Sequence, residues 1–126
     1  MNQTLEQRRA HHAYEAVEAF LARKPNEEER KKYGTHVRKL PTRIAASGLG
    51  QALAFMVAKG YCPDILQALN HWILAKRDTD ALLLEVIRGD SDNLRLRTAE
   101  ALAYLQWLSR FAEAKKLTDN LAESTP

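Results

Sequence analysis

An all-α chain, a single compact bundle of about six helices with a long last helix, is predicted by three observations. Apolar residues recur at steps of three and four along most of the sequence, and no stretch alternates with the period of a strand. Helix-start signals stand where the apolar runs begin: Thr4 lies three residues before Gln7, and Asn26 three before Glu29. Each pair lets a polar cap and a longer side chain satisfy one another's free backbone donors. Glycine and proline, five and four in number, punctuate these runs and form no flexible tract.

The first helix is read from the Thr4 cap to about residue 22. Leu5, Ala10, His12, Ala13, Ala16, Val17, Phe20 and Leu21 give it one apolar side, Tyr14 packs beside them, and Arg8 and Arg9 point away. Lys24, Pro25 and Asn26 turn the chain, and Glu27, Glu28 and Glu29 then sit at the positive end of the next helix. Proline has no backbone donor and fixes φ, so Leu40-Pro41 is expected to end that helix, leaving a short piece over residues 42–46. Ser47 is the expected cap of a helix over residues 48–59, and Gly60 closes it. Pro63 suits the first position of the next helix, whose apolar side is Ile65, Leu66, Leu69, Trp72 and Ile73.

Asp78, Thr79 and Asp80 cap a short leucine-rich helix over residues 81–88. The last helix is read over residues 93–117, with Leu94, Thr98, Ala101, Leu102, Leu105, Leu108 and Ala112 on one stripe. Tyr104, Trp107 and Phe111 lie on a second. A helix apolar on two sides is either central to its bundle or shared with a partner protein. Residues 1–118 are thus expected to form one domain, followed by a frayed tail over 119–126.

Composition excludes several classes. The apolar share of 45% supports a core, but no run of ~18 apolar residues exists to span a membrane. The first residues lack the apolar stretch of a secretory signal, so the protein is expected to be cytoplasmic. One cysteine, Cys62, rules out an internal disulfide framework. The net charge of +3 conceals an asymmetry. Residues 1–61 hold eleven Lys and Arg against six Glu, a balance of +5, and residues 62–126 hold eight against ten acids, a balance of −2. A basic half on a mildly charged chain suits contact with an anion on one side and with proteins elsewhere.

Catalytic and metal chemistry finds no framework. His11 and His12 diverge by about 100° on a helix and cannot share an ion. No His-plus-carboxylate or paired-cysteine spacing of a zinc site is present. Gly48-Leu49-Gly50 lacks the third glycine and the preceding strand of a dinucleotide loop. Glu15 and Glu18 are exposed acids one turn apart, and Cys62 is a buried or half-buried thiol. No enzyme, cofactor or metal is expected. Tyr33, Tyr61, Trp72 and Trp107 are assigned to packing, and the separation of aromatics from basic clusters argues for phosphate contacts over base reading.

Three segments then converge. Ala13-Tyr14-Glu15-Ala16-Val17, Lys32-Tyr33 with Arg38-Lys39-Leu40-Pro41, and Ile44 with residues 47–55 (SGLGQALAF) resemble the small all-helical subunit of type III-B (Cmr) CRISPR effector complexes. Residues 98–114 are similar to that family's last helix. The resemblance implies a non-catalytic subunit, present in several copies beside the backbone subunits that hold the guide RNA. It helps form the channel in which guide and target RNA pair, and cleavage belongs to other subunits. Base pairing then reads the sequence, so this chain need supply only shape and positive charge. Arg38 and Lys39 are the expected source of that charge. Arg8, Arg9, Arg43 and Lys59 are added from charge alone.

Two other readings stay open. A DNA-binding regulator of helix-turn-helix type is suggested by the joint near Pro41 and Gly48. A plain interaction bundle would instead dock a protein on Tyr104, Trp107 and Phe111.

Overall fold

A computed structural model describes residues 2–117. Among these residues six helices follow one another: α1 (Leu5–Ala22), α2 (Glu27–Ser47), α3 (Leu49–Lys59), α4 (Pro63–Leu74), α5 (Ala81–Arg88) and α6 (Ser91–Ala114). Among the described residues there is no strand, and no helix is long and apolar enough to cross a membrane. The tail expected to fray, residues 119–126, lies outside the described residues.

Both expected capping boxes form. Thr4 and Gln7 exchange bonds at the start of α1, and Asn26 and Glu29 do so at the start of α2. Pro63 opens α4, and Gly60 ends α3 in the left-handed region at φ 66°. The last helix begins two residues earlier than read, because Asp90 accepts from the Asn93 amide and caps it, and it ends at Ala114.

Two expectations around the basic corner are corrected. Pro41 does not end a helix; α2 runs through it for 21 residues. An interior proline costs about 3 kcal/mol. Val37, Leu40 and Ile44 on either side of it are all buried, and each such side chain contributes roughly 1.5–3 kcal/mol on burial. Packing therefore outweighs the lost backbone bond. Ser47 does not cap α3 either: it belongs to α2, and Gly48 is the one residue between the two helices. Gly48 has φ 88°, a conformation that L side chains rarely adopt, and it provides no side-chain cap.

The core is one contiguous cluster fed by all six helices. α6 lies at its centre, packed against α1, α2, α4 and α5, with Ala101, Tyr104, Leu105, Leu108 and Ala112 buried. Side-chain pairs advance in step along α1 and α6: Arg9 with Glu100, His12 with Tyr104, Tyr14 with Phe111 and Glu18 with Lys115. The two helices therefore run in the same direction. α3 packs on α2 and α5 and completes the side of the bundle on which the basic segment lies.

Candidate nucleic-acid interface

Because α2 is continuous, its positive residues are placed by a single helical period. Lys32, His36, Lys39 and Arg43 follow at steps of four, three and four, which puts them on one face. The electrostatics agree, since the charges of Arg43, Lys39 and Lys32 all reach His36. Arg38 is one residue, about 100°, away from Lys39 and lies on the neighbouring exposed stripe. Arg38 and Lys39 both face solvent, and neither forms an ion pair among the described residues. Lys32 lies 4.0 Å from Glu28, an exposed pair of small weight.

α3 brings a second set of groups against this stripe. The Arg43 guanidinium carbon lies 4.8 Å from the centre of the Phe55 ring, and the Lys59 ammonium 5.9 Å from it. Arg43 Nη1 is also 3.3 Å from His36 Nδ1. His36 stacks on Tyr61 at 4.2 Å and an interplanar angle of 20°, and Tyr61 meets Phe55 edge-on at 5.9 Å. Partial burial, followed by the charges of Arg43, Lys39 and Lys32, pushes the His36 pKa below the usual imidazole range. The shift favours the neutral ring. The expected separation of aromatics from basic clusters does not hold here. His36, Phe55 and Tyr61 are interleaved with Lys39, Arg43 and Lys59. The sequence signal for the α2 stripe alone was available in the 32-36-39-43 spacing, but the supposed break at Pro41 obscured it.

A model of the family described as CRISPR-associated protein (Cas_Cmr5) matches residues 5–115. The chain belongs to the Cas_Cmr5 family. A crystal structure of a CRISPR-associated Cmr5 family protein from Thermus thermophilus is similar to it, with a TM-score of 0.74 and 28% identity. The match covers 93% of this chain and 100% of that one. Membership makes the chain a small subunit of the multi-subunit type III-B (Cmr) CRISPR assembly, as the resemblance implied.

Other predicted site residues of this Cas_Cmr5 chain fall elsewhere. Arg8 is exposed. Arg9 does not point away into solvent. Its Nε and Nη2 donate to Glu100 at 2.6 and 2.8 Å and its Nη1 to Glu6 at 2.9 Å, so its charge is neutralised within the chain. Tyr104 is fully buried and is no part of a docking surface. Trp107 and Phe111 are half-buried and stacked at 5.7 Å, with the Trp107 indole donating to Glu6.

The remaining titratable groups are tied into packing. His12 lies 2.7 Å from the Tyr104 hydroxyl and 2.8 Å from His71 Nδ1. Burial, then the neighbouring His71 and Arg77, lowers its pKa to about 4. His12 and His71 line an open cavity of about 380 Å³. Arg23 and Asp64, which also line it, pair with one another. Burial pushes the Cys62 thiol up to about 11, so it is protonated and unreactive at neutral pH. No group of three metal-ligating side chains occurs among the described residues.

Proposed function

We propose that this chain is a non-catalytic subunit that packs along the backbone subunits, beside further copies of itself. It contacts the guide–target RNA through the face carrying Lys39, Arg43 and Lys59, with Arg38 on its flank. The observation that carries this reading is a set of cations on α2 and α3 that no acidic side chain among the described residues neutralises. A paired guide already selects the target, so a neighbouring protein gains nothing from reading bases within the duplex and much from opposing phosphate charge. A few cations per copy give weak affinity, and several copies along one RNA multiply it. Arg9 is withdrawn from the proposed contact because Glu100 and Glu6 hold it.

The regulator reading loses its geometric support, since α2 passes through Pro41 and only Gly48 separates it from α3. The test is the Arg38→Ala/Lys39→Ala double variant within the assembled complex. Target capture is expected to weaken, and the slope of log affinity against log salt to fall by roughly one to two units. Unchanged capture with an unchanged slope would show that these cations serve another purpose.

A further inference from the structure

Phosphate contact accounts for Lys39 and Lys59 but not for what lies between them. Phe55 points away from the buried stripe of α3, formed by Leu49, Ala52, Leu53 and Met56, and 38% of it remains in water. Four planar groups close a circuit around it: Phe55 to Arg43, Arg43 to His36, His36 to Tyr61, and Tyr61 back to Phe55. The circuit is anchored to the core at Arg43, whose Nη1 also reaches the sulfur of buried Met56 at 3.6 Å.

Different RNA ligands would require different surfaces. A duplex presents phosphates and riboses and hides the faces of its bases, so an aromatic circuit adds nothing to its capture. An unpaired nucleotide presents a base face beside a phosphate. Aromatic rings and arginine planes interleaved with lysines match both parts at once. Here Lys59 lies 5.9 Å from the Phe55 ring and the charge of Lys39 reaches His36, so lysines on separate helices stand beside the circuit.

We infer that the His36–Arg43–Phe55–Tyr61 cluster is a stacking site for an unpaired RNA nucleotide, with Lys39 and Lys59 holding the flanking phosphates. This rests on the reading of the basic face as an RNA contact and narrows its ligand from a duplex to a single strand.

The test is an NMR titration of the isotope-labelled full-length chain, which detects even millimolar affinity. Three ligands of equal length are compared at low salt: an RNA strand without self-complementarity, an abasic ribose-phosphate strand and an RNA duplex. The single strand is expected to shift the ring resonances of Phe55 and Tyr61 and to bind about tenfold more tightly than the abasic strand. Phe55→Leu, at an exposed position, should remove that tenfold difference and leave abasic binding unchanged. Lys39→Ala should weaken all three ligands. Equal affinity for normal and abasic strands, or tighter binding of the duplex, overturns the stacking site and leaves the basic face standing. If no ligand perturbs Lys39 or Phe55, the stacking site and the basic-face reading both fall.

Discussion

The side chain of Asn70, on α4, accepts the backbone N–H of Leu82 in the first turn of α5 at 2.7 Å. Asp80 precedes α5 but makes no cap bond, so the cap is supplied from another helix. Asn70 is 1% exposed, and its amide also donates to the Leu66 carbonyl at 2.7 Å. Replacing it with Ala removes both bonds and strands a buried donor, a loss of about 2–4 kcal/mol. Asn70→Asp keeps an acceptor for Leu82 but buries a charge beside a carbonyl, and is expected to be at least as destabilising. Denaturant unfolding of the two variants measures this. An Asn70→Ala midpoint equal to the parent's would mean that Asp80 takes over the cap.

Much of the bundle was legible in sequence because it rests on local rules. Thr4, Asn26, Gly60 and Pro63 act through neighbours a few residues away, and all four lie at helix ends as predicted. The misreadings are long-range. Pro41 is overridden by core contacts of Val37, Leu40 and Ile44, and Arg9 by an acid 91 residues distant. Tyr104 shared a stripe with Trp107 and Phe111, yet it faces inward to His12 and Trp72. The cluster around Phe55 depends on how α2 lies against α3, and no spacing within either helix reports that.

His12 makes stability depend on pH. Its pKa is about 4 in the folded chain, against an ordinary value of 6.5. Between those values the unfolded chain binds more protons, so stability must fall as pH drops from 6.5 towards 4. His71, Arg77 and His11 oppose the charged form, and Glu15 favours it. With solvent screening of a half-exposed ring allowed for, the loss is about 1–2 kcal/mol. The depressed Glu100 pKa acts in the same direction at lower pH, since its contribution is lost as pH falls through its folded value. Unfolding curves across this range should slope more gently for His12→Gln. An identical slope would assign the acid sensitivity to another group.

Pro41→Ala is expected to stabilise the chain. Alanine restores a backbone donor inside α2 and removes the clash of the ring with the preceding turn, worth about 3 kcal/mol. Losing proline also frees the unfolded chain, which offsets about 0.4–1 kcal/mol of that. A net gain of about 2 kcal/mol should appear as a higher melting temperature. A lower one would show that Leu40 and Ile44 need the proline's distortion to reach the core together.

Arg9 and Lys39 should separate stability from RNA contact. Glu100 accepts three bonds, two from Arg9 and one from the Trp72 indole at 2.7 Å, and these hold its pKa down. Glu100→Ala leaves partly buried donors without their partner, and charged bonds of this kind contribute about 1.5–3 kcal/mol. Glu100→Gln keeps an acceptor and should lose less. Arg9→Ala should likewise lower the unfolding midpoint while leaving the salt dependence of target capture unchanged, since its charge already has two carboxylate partners. Lys39→Ala, at an exposed position without an acidic partner among the described residues, should do the reverse. Measuring melting temperature and salt slope on both variants decides the matter. Should Arg9→Ala flatten the slope as much as Lys39→Ala does, the pairing with Glu100 must open when RNA binds, and the interface would extend across α1.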